Sequence, residues 1–256
     1  MNIWAHRGCS QCYPENTITS FEKAMKIPGL TGIELDIQLT KDGEIVVIHD
    51  ERVDRTTDGI GFVRNYTLKE LKTLHIHTGK EEPEHIPTMK EVLDLLGPSL
   101  KRYINDENSG IMLNIELKTG IYPYPGIEQK ISDLVHKYGV EDAIIYSSFY
   151  AESLVRMRSI DPDVTMGVLD SRVSDCMYKA IGIEALLGDG LKSPLALHPA
   201  GYHMDIPGDR FADRTVRAWF GGHLYPEKPT GGRMDLDMLA AAGVTDVFIN
   251  EPEKYV

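Results

Sequence analysis

Short apolar segments alternate with amphipathic helical segments along nearly all of this chain. Three helical segments begin with the capping-box pattern, at Thr19–Glu22, Thr67–Glu70 and Thr88–Glu91. Strands that alternate with helices form a parallel sheet, and roughly eight such units favour a closed (β/α)8 barrel over an open sheet. The predicted strands are Ile3–His6, Gly32–Gln38, Ile45–His49, Met112–Lys118, Ala143–Ser147, Val164–Leu169, Leu195–His198, Val216–Phe220 and Asp246–Asn250.

The length of the chain suits one domain of this α/β class. Its 256 residues, with 42% hydrophobic content, match the usual size of a TIM barrel, so we predict a single domain over residues 1–256. The interval 51–87 is too long for a plain loop and holds its own helical signal, which predicts an insertion. The chain contains neither GxGxxG nor GxxxxGK[ST], the patterns that would favour a nucleotide-binding fold.

Two predicted strands carry acidic side chains at every second position. In Ile33–Ile37 and Leu113–Lys118 the odd positions are apolar and most even positions are charged or amide. A strand has a side-chain period of two, so in a barrel the apolar set packs under the helices and the polar set points inward. Glu34, Asp36 and Glu116 would then converge as oxygen ligands of one divalent cation, magnesium or calcium.

Two histidines end predicted strands close to these acids. His6 is followed by Arg7 and Gly8, and His49 is followed by Asp50. Imidazole titrates near neutral pH, so two histidines beside a cation can supply a general acid and a general base. The fork of the arginine guanidinium suits phosphate oxygens. A single strand-end histidine is more often structural, and only the combination with the acids favours catalysis.

Charge and cysteine content narrow the class of partner. The net charge of −12 argues against nucleic acid, which needs clustered Lys and Arg. Three cysteines, Cys9, Cys12 and Cys176, give no disulfide framework and favour a reducing compartment. Cys9 and Cys12 have CxxC spacing without a second ligand pair, so we interpret them as loop thiols. No export signal or stable membrane insertion is predicted, which favours a cytoplasmic protein.

Several short motifs of this chain occur together in the order and spacing of one enzyme family. Any one of them is weak, but so many in register are specific. The set resembles the signature of the bacterial type of glycerophosphoryl diester phosphodiesterase. The motifs are His6-Arg7-Gly8, Pro14-Glu15-Asn16-Thr17, Glu34-x-Asp36, Thr40-x-Asp42-Gly43, His49-Asp50, Arg55-Thr56-Thr57 and Glu116-x-Lys118, with Trp219 and Asn250-x-Pro252 later in the chain.

This resemblance implies a TIM barrel with a small insertion and one divalent cation at the three acids. It implies His6 and His49 as the catalytic residues, and it adds Arg7, Lys118 and Trp219 as contacts of the substrate and its phosphate. The implied reaction is hydrolysis of a glycerophosphodiester to glycerol 3-phosphate and an alcohol. A glycerol hydroxyl would attack phosphorus, and water would then open the cyclic phosphate.

Some features depart from the family pattern or leave alternatives open. Trp219 leads into Phe220-Gly221-Gly222 and then a Pro- and Gly-rich stretch, residues 223–233, instead of the usual threonine and asparagine. We expect this region to shape the alcohol side of the pocket. We interpret His198 and His203 as solvated loop histidines. A lysophospholipase D or phosphoinositide phospholipase on the same barrel, and a barrel that binds without catalysis, remain alternatives. The residues leave the oligomeric state open, with a homodimer as one option.

Overall fold

Nine β-strands form one sheet, and eight of them are parallel to their neighbours. The computed structural model describes residues 1–77, 84–188, 193–211, 213–221 and 235–256. The hydrogen-bonded order of the parallel strands is β7-β6-β5-β4-β2-β1-β9-β8. The strands are β1 (Asn2–His6), β2 (Gly32–Leu39), β3 (Ile45–Val47), β4 (Met112–Leu117), β5 (Ile144–Ser148), β6 (Thr165–Asp170), β7 (Ala196–Pro199), β8 (Arg217–Trp219) and β9 (Asp246–Ile249).

The two ends of this strand order meet and close the sheet. Parallel bridges join Leu197 to Val216 and Ala200 to Trp219. The amide of Gly201 donates to the carbonyl of Trp219 at 2.9 Å, next to the second bridge. The predicted (β/α)8 barrel is therefore confirmed. The predicted strand at Ile45 is not one of the barrel strands, because β3 pairs antiparallel with β2 outside the barrel order.

Seven α-helices lie in the described part of the chain, and capping sets where several of them begin. The capping boxes at Thr67 and Thr88 are both present. The box predicted at Thr19 is wrong, because the Thr17 side chain accepts the hydrogen bond from the Ser20 amide and so starts the helix two residues earlier. The helices are α1 (Ile18–Ala24), α2 (Leu68–Leu71), α3 (Met89–Asn105), α4 (Ile127–Tyr138), α5 (Ala151–Ile160), α6 (Val173–Leu187) and α7 (Leu236–Ala241). None of these described helices combines the length and the apolar character needed to cross a bilayer.

Buried side chains form two layers on the two sides of the strands. Ile33, Leu35 and Ile37 of β2 are fully buried in the large core between the barrel and its helices. The side chains that alternate with them point into the barrel, as the period-two pattern predicts. A smaller apolar cluster of Trp4, Ile145 and Phe248 fills the barrel interior below them.

The segment predicted as an insertion, residues 51–87, lies between β3 and α3. Its described residues hold α2, a 3-10 turn at Val63–Asn65 and a separate apolar cluster, while residues 78–83 lie outside the described ranges. Val53, Val63 and Ile76 are buried members of that cluster, which also includes Ile48 next to His49. The sequence around His49 is thus anchored by packing on this segment as well as by β3.

Candidate active site

A cavity of about 250 Å³ opens at the carboxyl ends of the barrel strands. Active sites of TIM barrels lie at this end, because the loops that follow the strands surround it. All the charged residues predicted for the site, except Asp36, line this cavity directly, and Asp36 lies between two of the lining acids. The lining residues are His6, Arg7, Glu34, His49, Asn114, Glu116, Lys118, Ser147, Phe149, Leu169, Trp219 and Phe248.

Three acidic side chains meet at one edge of the cavity. Asp36 of β2 lies opposite Glu116 of β4 in the parallel register, and Glu34 lies one pleat earlier on β2. One carboxylate oxygen from each lies within 4.8 Å of the others, and all three residues are buried. Burial and the neighbouring charge of Asp36 raise the pKa of Glu34 well above its ordinary value, and burial also raises the pKa of Glu116.

This acidic cluster fits a hard divalent cation. Asp36 Oδ1 is fully buried and has no hydrogen-bond partner among the described residues. Burial acts to raise the pKa of Asp36, but the charges of Arg7, His49 and Lys118 hold it well below its ordinary value. An ionised carboxylate with an unsatisfied oxygen beside two further acids is costly to bury unless a cation neutralises it. Oxygen ligands of this kind suit magnesium or calcium.

Two cationic side chains lie beside the cluster. The Nε of Arg7 is 3.3 Å from Asp36 Oδ2, and its Nη1 donates to Glu15 at 2.9 Å. Lys118 Nζ donates to Glu116 Oε1 at 2.9 Å. Arg7 adopts the left-handed conformation (φ 57°), and its backbone amide donates to the Glu34 carboxylate at 3.1 Å. This turn directs the guanidinium along the acids and toward the cavity.

Gly8 makes this turn possible. Its φ is +81°, which favours glycine, and a Cβ there would lie 2.3 Å from Ser20 Oγ. Cys9, next in the loop, is buried, whereas Cys12 is exposed, and both thiols are free.

His6 is held by a residue that directly follows the last strand. Its Nδ1 donates to the side-chain oxygen of Asn250 at 2.8 Å, which fixes the tautomer and makes Nε2 the acceptor atom. That Nε2 is 3.8 Å from Glu34 Oε2. Burial, together with the charge of Arg7, lowers the pKa of His6 to about 3. The site therefore holds a neutral imidazole next to the acids.

His49 reaches the same cavity from the segment that follows β3. Its Nδ1 donates to Asp50 Oδ1 at 2.7 Å. Arg55 donates from Nε to the other oxygen of Asp50 at 2.6 Å, and both of its terminal nitrogens donate to Glu15 at 2.8 Å. Burial acts to raise the pKa of Asp50, but the hydrogen bonds from His49 and Arg55 hold it well below its ordinary value. Glu15 also accepts from Arg7, so it joins the two loops that carry the histidines.

The wall of the cavity away from the acids is apolar. Trp219 Nε1 donates to the backbone carbonyl of Asp170 at 3.3 Å, and its ring packs edge-to-face on Phe149 with centroids 6.0 Å apart. Leu169 and Phe248 complete this wall. The Pro- and Gly-rich stretch expected to shape the alcohol side of the pocket, residues 223–233, lies outside the described residues, which break off after Gly221 and resume at Asp235.

Sequence reasoning missed several residues of the site. Asn114 occupies the inward-facing position of β4 before Glu116, so the alternating pattern contained its signal, and its amide donates to Ser147 at 2.8 Å. The contact of Asn250 with His6 joins residues 244 positions apart and has no local signal. The prediction for His198 is wrong, because β7 carries it fully buried, whereas His203 is exposed as expected.

Comparisons with a family model and with known proteins point to the same family. Residues 6–254 match the model of the glycerophosphoryl diester phosphodiesterase family. The chain is 37% identical to a glycerophosphodiester phosphodiesterase from Caldanaerobacter subterraneus subsp. tengcongensis over 258 residues, which cover 99% of this chain and 96% of that protein.

Solved structures agree with this relationship. A glycerophosphodiester phosphodiesterase from Agrobacterium tumefaciens superposes with a TM-score of 0.70 at 25% identity, covering 99% of this chain and 97% of that one. A phosphodiesterase from Oleispira antarctica, in complex with the product sn-glycerol-3-phosphate, has a TM-score of 0.73 at 24% identity over 99% of this chain and 94% of that one. The chain therefore belongs to the glycerophosphoryl diester phosphodiesterase family and is an enzyme of that class.

Proposed function

We propose that this enzyme hydrolyses glycerophosphodiesters, the deacylated phospholipids, to glycerol 3-phosphate and an alcohol, and that it requires one divalent cation. The observation that carries this proposal is the meeting of three buried acids, two histidines and two cationic side chains in one cavity. The Oleispira antarctica phosphodiesterase of the same fold binds sn-glycerol-3-phosphate as its product, which agrees with the product proposed here.

Glu34, Asp36 and Glu116 would hold the cation. When bound, it would lower the pKa of the attacking glycerol hydroxyl and neutralise charge on the phosphoryl oxygens. Arg7 and Lys118, which line the cavity beside these acids, would bind the phosphate group. In the reaction, the hydroxyl attacks phosphorus, the alcohol leaves, and water opens the resulting cyclic phosphate.

His6 and His49 would act as the acid–base pair of this reaction. The contact with Asn250 leaves His6 Nε2 as an acceptor, which suits removal of the proton from the attacking hydroxyl. The Asp50 carboxylate at 2.7 Å orients the His49 ring, which lines the cavity and would donate a proton to the leaving alcohol. In the second step the roles reverse. The Trp219 and Phe149 wall would contact the alcohol.

The test begins with hydrolysis of glycerophosphocholine in the presence of magnesium or calcium. Activity should be lost with a chelator and restored by adding the cation back. His6→Ala and His49→Ala should each reduce turnover by at least about 100-fold while cation binding persists. His136→Ala, a change at a surface histidine of α4, is the matched control and should behave as the parent. Normal turnover in either catalytic variant would refute the assignment.

A substrate with a good leaving group separates the roles of the two histidines. p-Nitrophenol leaves without protonation, so the His49→Ala variant should recover much of its activity on the p-nitrophenyl ester of glycerol phosphate. His6→Ala should not recover, because the attacking hydroxyl still needs a base. The reverse pattern would exchange the two roles. Lysophosphatidylcholine, assayed in parallel, tests the phospholipase alternative and should be a poor substrate.

The metal ligands need a binding measurement as well as an activity assay. Glu34→Ala should weaken cation affinity, measured calorimetrically on protein first stripped of metal. An unchanged affinity in this variant would contradict the proposed ligand set.

A further inference from the structure

A buried arginine lies at the opposite end of the barrel from the active site. Arg217 begins β8, pairs in register with Asp246 of β9, and is only 9% exposed. Its guanidinium packs over the ring of Trp4, 5.7 Å from the centroid. Among the described residues it makes one long side-chain hydrogen bond, from Nη1 to His198 Nε2 at 3.4 Å. A guanidinium carries five N–H donors, and this is the one side-chain hydrogen bond that the described residues accept from it.

The nearby carboxylate of Asp246 does not accept a hydrogen bond from Arg217. Arg217 Nε lies 3.7 Å from Asp246 Oδ1, too far for a hydrogen bond, and is buried without a partner among the described residues. Asp246 is occupied elsewhere, because Oδ1 accepts from Trp4 Nε1 at 2.8 Å and Oδ2 accepts from the Thr245 hydroxyl at 2.6 Å. Burial also lowers the pKa of Arg217 despite the charge of Asp246. The arginine is therefore a buried positive charge that the chain only partly neutralises.

A cavity of about 120 Å³ lies against this arginine. Arg158 also lines it. Its Nε is likewise buried without a hydrogen-bond partner among the described residues, whereas its Nη1 and Nη2 donate to the backbone carbonyls of Pro162 and Val164. The hydroxyl-bearing residues Thr165, Ser193 and Thr215 add further hydrogen-bonding groups. The volume suits a small oxyanion with a few waters, and the lining holds two arginines against the one carboxylate of Asp163.

We propose that this cavity is a second anion site, which takes an oxyanion of the phosphate class between Arg217 and Arg158. Planar guanidinium groups bind the oxygens of such anions through paired hydrogen bonds. The site is separate from the catalytic cavity, because Trp4 and Phe248, packed edge-to-face with centroids 5.5 Å apart, lie between Arg217 and the active-site cavity. It does not depend on the function proposed above.

Tryptophan fluorescence offers a direct test. The chain has two tryptophans, so Trp219→Phe leaves Trp4, beside Arg217, as the reporter. Inorganic phosphate is titrated at constant ionic strength with a chelator present, which keeps metal and its bound phosphate out of the acidic cluster. We expect a saturable signal. A parallel titration with glycerol 3-phosphate separates a site for free phosphate from one that accepts a phosphomonoester.

Matched arginine variants identify the site. In the Trp219→Phe background, Arg217→Met should weaken phosphate binding by at least tenfold, and Arg158→Met by at least threefold. Arg156→Met, an exposed arginine on the same helix as Arg158, should leave the affinity unchanged. If Arg217→Met does not fold, Arg158→Met decides the question. Failure to saturate, or equal affinity in the Arg158→Met variant and its parent, would overturn the proposal.

A crystallographic test is independent of the reporter. Crystals soaked in selenate should show anomalous density between Arg217 and Arg158, and this density should be absent from Arg158→Met crystals. Density confined to the catalytic cavity would overturn the proposal.

Discussion

The two ends of the barrel interior both bury charge, with opposite sign. At the carboxyl end, three buried acids lie beside Arg7 and Lys118, and Asp36 Oδ1 accepts no hydrogen bond from the described residues. At the amino end, Arg217 lies 3.7 Å from a carboxylate that other donors already occupy. The difference shows that a barrel can prepare ligand sites simply by leaving a buried charge incompletely paired. The sign of the unpaired charge would then favour binding of a cation at the carboxyl end and of an anion at the amino end.

Removing a carboxylate should have opposite effects on stability at the two ends. At the amino end, Asp246→Asn leaves Arg217 buried without its counter-charge, so the free energy of unfolding should fall by about 3 kcal/mol. Urea denaturation in phosphate-free buffer measures this. The control is Asp237→Asn, an exposed acid on α7, which should change little. Equal stability of Asp246→Asn and the parent would mean that Arg217 is neutralised by some other means.

At the carboxyl end, Glu34→Gln removes one of three mutually repelling acids. Without metal, the free energy of unfolding should rise by about 1 kcal/mol. Cation affinity should fall by roughly 100-fold, because a charged ligand is lost. Denaturation in chelator and calorimetric titration of magnesium and calcium measure the two effects. A loss of stability in Glu34→Gln as large as that expected for Asp246→Asn would contradict the predicted difference between the two ends.

The buried histidine at the amino end should make stability depend on pH. Burial and the charge of Arg217 lower the pKa of His198 well below its ordinary value. Below pH 6.5, His198 therefore binds a proton in the unfolded chain but not in the folded chain, and the free energy of unfolding falls as the pH falls. Between pH 7.5 and 5.5 this amounts to about 1.4 kcal/mol. His198→Asn should lose that part of the pH dependence, whatever its absolute stability, and an unchanged slope would contradict the assignment.

At the carboxyl end, by contrast, a histidine depends on an acid for its position. Asp50→Asn should reduce turnover about tenfold, because His49 loses the carboxylate that orients its ring. Asp54→Asn, an acid of the same segment that pairs with the exposed Arg52, serves as the control. Unchanged turnover in Asp50→Asn would contradict this dependence.

The parts of this picture that could be predicted are those with a local repeating signal. The period of two in β2 and β4 placed the three acids on one side because burial imposes that pattern on every such strand. The pattern of apolar residues could not show that β3 lies outside the barrel, since an antiparallel side strand carries the same apolar residues as a barrel strand. Arg217 is one charge in a strand only three residues long, too short to show a period. The incomplete pairing of Arg217 depends on Asp246 and Trp4, which come from distant parts of the chain.

His6 and His49 are attached to different parts of the fold. His6 ends a central strand of the barrel, whereas His49 is flanked by Ile48 and Val53 of the small separate cluster. Segments with few buried contacts open locally at lower free energy than the core that supports them. Opening of this segment would displace His49, one member of the proposed acid–base pair, while the barrel stayed folded. On heating, inactivation should therefore precede the cooperative melting of the barrel, and rapid cooling should restore activity.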